Sequence, residues 1–187
     1  MVRAPVKSVD AVGLKVLSKQ EDVANARLHF ANGCIANVTA SRVSQTPKRC
    51  MHIWGPEGYA RLDFQKRHLT LVQPSEELRL KAQKLDAPEM ARLKDELYSR
   101  HFQVSQIDRN EGDQLTRELK HFVNCVRTGA TPRVCATDGV EAIALATRIL
   151  ASMATHRWEG HEHGPMGPME LPAACGSMFT PAKSEEA

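Results

Sequence analysis

Aromatic residues are scarce: two Trp, two Tyr and five Phe make up 5% of the 187 residues. So few rings offer no platform for stacking bases. The 25 Lys and Arg are interleaved with 22 Asp and Glu, for a net charge of +3. Without a basic stripe, nucleic acid is not an expected partner. No run approaches the ~18 apolar residues of a membrane span, so no membrane partner is expected. The opening MVRAPVKSVDAVG has no apolar h-region, which excludes a secretory signal there. Five cysteines (34, 50, 125, 135 and 175) are odd in number and lack C-x-x-C spacing. They argue against a disulfide framework or a zinc knuckle and point to a reducing cytoplasm. Neither G-x-G-x-x-G nor a P-loop is present, and GPEG and GPMG have neither the spacing nor the strand-to-helix context. What remains, 42% hydrophobic and 25% charged, is ordinary for a globular protein. There is room for one domain, or for one domain and a tail.

The clearest local signal is HFANGCIANVTASRVS, His29 to Ser44. Asn-Gly between apolar-rich runs marks a β-hairpin. With Asn32-Gly33 as a two-residue loop, Phe30 would pair with Ile35 and Leu28 with Asn37, setting apolar against polar. With Ala31-Asn32-Gly33 as a three-residue loop, Phe30 pairs with Cys34, Leu28 with Ala36, Ala26 with Val38 and Ala24 with Ala40. One face is then apolar, and Asn25, Arg27, His29, Asn37, Thr39 and Ser41 line the other, Ile35 excepted. Register follows the hydrophobic pattern, so the longer loop is predicted, closed by Gly33 at positive φ in a G1 bulge.

Valine-rich VKSVDAVGLKV reads as a strand before this hairpin. RCMHIW and YARLDF flank Gly55-Pro56-Glu57-Gly58, pairing Ile53 with Ala60 and Met51 with Leu62 on an apolar face. Trp54 with Tyr59, His52 with Arg61 and Cys50 with Asp63 share the opposite one. A loop over Gln65 to His68 would set Leu69 beside Phe64 and Leu71 beside Leu62, and Phe102 to Ile107 reads as one more strand. Short turns make these strands antiparallel. Met90, Leu93 and Leu97 suggest a surface helix. Leu115, Leu119, Phe122, Val123 and Val126 mark a second helix, ended by Gly129. A third begins at Thr137 as N-cap, with Val140, Ile143, Ala144, Thr147, Leu150 and Ala151 as its packing stripe. From residue 159 to 187, four glycines and four prolines make a packed element improbable and suggest a flexible or surface-laid tail. Strands first and helices later give α+β: an open, mostly antiparallel sheet with helices packed on one face. The expected domain is 1–158, with 159–187 as tail.

The polar hairpin residues and the Trp54/Tyr59 pair would form an uncovered face suited to a partner, most simply a second copy. Arg42, at the end of the hairpin strand, is either the sheet's rim or an anion contact. Cys50, His52 and His68 lack a defined ligand set, and His156, His161 and His163 straddle a helix end and the tail, so neither group is expected to bind metal. Cys125 and His121 are an i, i+4 pair without the third group that a nucleophile needs. The residues alone show no complete catalytic constellation.

DVANARLHFANGCIANVTASRVS, then GPEGYARLDF, then ELKHFVNCVRTGATPRVCATDGVEAIALATRIL, together resemble one known pattern. It is the C-terminal domain of the oxidoreductase family named after glucose–fructose oxidoreductase, inositol dehydrogenase and the MocA protein. The resemblance covers about Val6 to Trp158. Within the family it is nearest to members that oxidise nucleotide sugars, such as UDP-N-acetylglucosamine 3-dehydrogenases. It implies a partner Rossmann domain, in the same or a neighbouring chain, that binds NAD or NADP and supplies the catalytic lysine and acid/base. Those features would lie before Met1, so the resemblance places no catalytic residue, cofactor contact or metal ligand in this chain. It implies a substrate-binding and assembly domain for a sugar or nucleotide sugar, inactive alone, with Ser41 and Arg42 on the substrate side and homo-oligomer contacts through the exposed sheet. The alternative is a binding or dimerisation module without catalysis.

Overall fold

The computed structural model describes residues 2–81, 86, 88, 89, 91, 100–109, 112–160 and 162–172. The helix expected on Met90, Leu93 and Leu97, and residues 173–187 of the expected tail, lie outside the described residues. The fold is α+β, and all its strand pairs are antiparallel. Hydrogen bonding divides the strands into two sheets, β1-β2-β3 and β4-β5-β6-β7, where the pattern had suggested one layer. The chain separates into two compact units, residues 1–45 with 131–187, and 46–130.

In the first unit, β1 (Val6–Leu14), β2 (Val23–Phe30) and β3 (Ile35–Ser41) form a meander. Ala24 faces Ala40, Ala26 faces Val38 and Leu28 faces Ala36, the register predicted from the three-residue loop. The Gly33 N–H donates to the Phe30 carbonyl (3.0 Å), the Phe30 N–H donates to the Cys34 carbonyl (2.9 Å), and Gly33 holds φ 86°. No atom stands within 4 Å of a Cβ built on Gly33. Gly33→Ala therefore meets only the backbone term, and urea denaturation should show a loss of about 1 kcal/mol.

The helix Ala136–Ala154 (α3 in chain order) packs on this sheet. Its buried side is Leu145, Ile149 and Met153, around a core of Ala11, Ala26 and Leu28. Expectation had put Val140, Ile143 and Leu150 inward, yet all three are exposed. The helix is apolar on several sides, so periodicity did not choose a face. Two polar side chains fix it on β1: Ser152 Oγ accepts from the Ala11 N–H (3.0 Å), and Arg148 Nη1 donates to the Val6 carbonyl (2.9 Å). Its N-cap is Cys135, two residues before the expected Thr137, with the Cys135 N–H donating to Asp138 Oδ2 at 2.7 Å. Composition had argued against a packed segment after Trp158. Residues 162–168 nonetheless fold back: the Gly167 N–H reaches the His156 carbonyl and the Lys15 N–H reaches the Pro168 carbonyl. Gly164, Gly167 and Pro168 are buried.

In the second unit, β4 (Cys50–Gly55) and β5 (Gly58–Asp63) pair as predicted, Ile53 with Ala60 and Trp54 with Tyr59. The pairing of β5 with β6 (His68–Pro74) sets Leu69 against Leu62 and Leu71 against Ala60. That is two residues from the expected register. Asp63 Oδ1 accepts from the N–H groups of Gln65 and Lys66, which starts the turn one residue earlier than the pattern revealed. A shift of two keeps every side chain on its predicted face. β7 (Phe102–Asp108) completes the sheet. This unit includes the helices α1 (Glu76–Lys81) and α2 (Gln114–Thr128). Asp113 caps α2 by accepting from the Thr116 N–H at 2.9 Å.

Candidate functional site

The most highly connected polar residue near the expected site is one that sequence reasoning passed over. Asp22 is 2% exposed. Its Oδ2 accepts from the N–H groups of Val16 (2.9 Å), Leu17 (2.7 Å) and Ser18 (2.9 Å), and its Oδ1 accepts from Ser18 Oγ (3.0 Å). The Ser18 N–H, then those of Leu17 and Val16, hold the carboxyl well below the usual carboxylate range, against the opposing effect of burial. The available signal was Ser18 four residues before an acid that opens a strand, in a loop whose N–H groups need acceptors.

Arg42 is tied to this hub twice. Its N–H donates to the Asp22 carbonyl (2.9 Å), and its Nε lies 3.4 Å from Asp22 Oδ1. The Arg42 side chain is still 57% exposed. A guanidinium offers five N–H donors, so holding Nε on Asp22 orients the group without using up its capacity for an oxyanion. Ser41 Oγ accepts from the Val43 N–H at 3.3 Å, which fixes the turn just before the arginine's neighbour.

The other expected contact residues fall into two groups, one in each unit. On the polar face of the first sheet, Thr39 Oγ1 donates to Asn25 Oδ1 (2.8 Å), and Arg27 Nη1 reaches Asn37 Oδ1 (3.5 Å). With Asp10 and His156 they line a shallow depression of about 320 Å³. His29 faces Ile35 across the same hairpin. In the second unit, Trp54, 72% exposed, lies 5.5 Å from Tyr59 between ring centres, and His52 meets both rings edge-on at 5.7 and 5.9 Å.

Several of these histidines and cysteines have other partners. His68 Nδ1 meets Asp108 Oδ1 at 2.7 Å and its Nε2 meets Thr70 Oγ1 at 3.0 Å, so it does not join Cys50 and His52. Among the described residues, no three His, Cys, Asp or Glu side chains come together as a metal site. Cys125 Sγ is 3.6 Å from His121 Nε2 and buried in α2. His156 meets the Trp158 ring edge-on at 4.8 Å, and His161 lies outside the described residues. Nor do the described residues fit a dinucleotide. That cradle is a glycine-rich turn from a strand into a helix N-terminus, whereas Gly33 and Gly58 sit in turns between antiparallel strands. Among the described residues no helix is long and apolar enough to cross a membrane.

The helix α2 presents the opposite problem, apolar surface without cover. Leu115, Leu119, Phe122, Val123 and Val126 lie at the predicted helical spacing, yet their exposures run from 45% at Val123 to 67% at Val126.

The chain is 29% identical over 146 residues to UDP-N-acetylglucosamine 3-dehydrogenase of Acidithiobacillus ferrooxidans, a match over 75% of this chain and 40% of that protein. A solved structure of that enzyme superposes with TM-score 0.63 at 23% identity, covering 80% of this chain and 41% of the enzyme. Levoglucosan dehydrogenase in complex with NADH and L-sorbose gives TM-score 0.58 at 16% identity, over 77% of this chain and 41% of the enzyme. At these identities the structures share the fold. The chain spans about 40% of the length of the relatives it matches. Residues 4–159 match the family model described as "Oxidoreductase family, C-terminal alpha/beta domain". By that match the chain belongs to the Gfo/Idh/MocA oxidoreductase family, as its C-terminal α/β domain.

Proposed function

We propose that the chain is the substrate-binding and assembly domain of an NAD(P)-dependent dehydrogenase of sugars or nucleotide sugars. It works in the cytoplasm with a dinucleotide-binding Rossmann domain in the same or a neighbouring chain. The observation that carries this reading is α2. A capped helix of 15 residues with five large apolar side chains in solvent leaves a stripe that a second body must cover. The matched relatives are more than twice as long as the stretch they share with this chain, which leaves room for that body. Cofactor and acid/base chemistry then belong to the Rossmann domain, and this chain contributes walls and positioning. Arg42, oriented by Asp22, suits the phosphates of a nucleotide sugar, with Ser41 beside it. Asn25, Arg27, His29, Asn37 and Thr39, with Trp54 and Tyr59, form the surfaces that meet a second copy.

The test supplies the missing partner. Co-expression with a Rossmann domain, from the adjoining coding sequence or from the Acidithiobacillus relative, should give a complex that forms NADH when UDP-N-acetylglucosamine or a related sugar is added. Neither part alone should do so. Phe122→Lys on α2 should weaken that association by about tenfold or more, without lowering the melting temperature of this chain. A second reading, a non-catalytic dimerisation module, is favoured by the lack of a dinucleotide cradle among the described residues. It would prevail if the chain self-associates but no Rossmann domain binds it or restores turnover.

A further inference from the structure

We propose that the outward stripe of α3 is a docking seam for one α-helix of the dinucleotide-binding partner. The inference rests on the reading above for the identity of that partner, and adds a contact separate from α2. Leu145, Ile149 and Met153 turn one side of α3 into the first sheet. On the opposite side stand Ala136, Val140, Ile143, Thr147, Leu150 and Ala154, all exposed, Val140 at 66% and Ile143 at 71%. A helix that is apolar on both sides belongs between two layers, and the first sheet supplies only one of them.

The stripe has the form of a helix-packing seam. Its six residues are spaced alternately by four and by three, an average of 3.5 over the whole length of α3. That is the period at which one helix lies along another at a shallow angle, and neither a strand nor a loop repeats its contacts at this interval. Gly139, Ala144, Ala146 and Ala151 flank the seam, and such small side chains let two helix backbones approach closely. Asp138, Glu141 and Arg148, the charged residues of α3, all fall outside this half of the helix. The one hydroxyl on the seam is already used, since Thr147 Oγ1 donates to the Ile143 carbonyl at 3.1 Å. The surface therefore asks for apolar side chains and offers nothing to a polar ligand.

The stripe is also held in place before any partner arrives. Ser152 and Arg148, bonded to the backbone of β1, fix the rotation of α3 and keep the seam outward, so docking costs little ordering of this helix. A Rossmann domain carries helices on both faces of its sheet, and so presents helices at its surface. More than half of each matched relative lies outside the stretch shared with this chain, which is length enough for such a domain.

The test uses the whole chain co-expressed with the Rossmann domain, purified as a complex, with its dissociation on dilution followed by analytical ultracentrifugation. Ile143→Lys should raise the dissociation constant about tenfold or more. Ala144→Leu combined with Ala151→Leu adds apolar surface but blocks close approach, and should raise it about fivefold or more. Glu141→Gln, off the seam, should stay within about twofold of the parent. Each variant chain alone should melt within a few degrees of the parent. The proposal fails if Ile143→Lys dissociates as the parent does while Phe122→Lys falls apart; the partner then sits on α2 alone and the reading above stands. It fails if the leucine pair binds as well as the parent, which marks a loose apolar cover and not a packed helix. A larger drop in the melting temperature of Ile143→Lys alone would show the stripe covered within the chain, and self-association of the parent that Ile143→Lys abolishes would put a second copy there; either overturns it. If the parent forms no complex with a Rossmann domain, the reading above falls and this inference with it.

Discussion

Gly58→Ala should destabilise the second unit by about 2–4 kcal/mol, read as a lower urea midpoint. Gly58 opens β5 at φ 133°. A Cβ there would stand 2.2 Å from the Val72 carbonyl oxygen and 3.1 Å from the Gln73 Cα. Both obstacles are backbone of the neighbouring strand β6, so they cannot swing aside as a side chain would. Relief requires β5 and β6 to part where Tyr59 pairs with Val72. Gly55, which pairs with Gly58 across the same turn, is the control. Nothing lies within 4 Å of its Cβ position, so Gly55→Ala should change the midpoint far less. Equal effects at the two positions would show that the turn, and not the close approach of β6, sets the cost.

Asp22→Ala is the second large effect, expected as a fall in melting temperature of roughly 5–10 °C. Removing the carboxylate strands the N–H groups of Val16, Leu17 and Ser18 and releases Arg42 from its salt bridge. The same group sets an acid limit. Its folded-state value is held far below the ordinary ~3.9, so on acidification the unfolded chain takes up the proton first. The stabilisation is therefore complete above about pH 4–5 and drains away as the pH falls toward the folded-state value. Asp63, Asp113 and Asp138 are also held low by backbone or side-chain donors and add to this slope. Asp22→Asn should melt lower than the parent near neutrality and show a flatter decline below about pH 4. Parallel melting curves against pH would remove Asp22 as the source.

The hairpin and the β4–β5 pair were legible because each register has a discriminating pattern. Shifting Leu28 from Ala36 to Asn37 sets apolar against polar, and nothing in the sequence argues the other way. The β5–β6 turn begins one residue earlier than expected because Asp63 folds the chain through side-chain acceptance, which leaves no mark on apolar periodicity. The side of the last helix that is buried was misread for a different reason. Val140, Ile143 and Leu150 look as suitable as Leu145, Ile149 and Met153, and the choice falls to Ser152 and Arg148, whose partners are distant backbone groups. Arg42 was legible as a charged residue at the end of the hairpin strand, at the sheet's rim or in contact with an anion. Asp22, which orients it, remained hidden, because an acid in a polar loop is ordinary until the converging N–H groups are seen.

The seating of the last helix along β1 gives the first sheet a closed end. Ser152 and Arg148 occupy the Ala11 N–H and the carbonyls of Val6, Lys7 and Val9, the groups through which another strand would add. Strand addition to this sheet is therefore blocked at β1, and a crowded solution of this chain has one fewer template for fibril growth. A twin that meets this edge must do so through side chains, which evolution can alter one at a time, and not through the backbone pattern common to every strand.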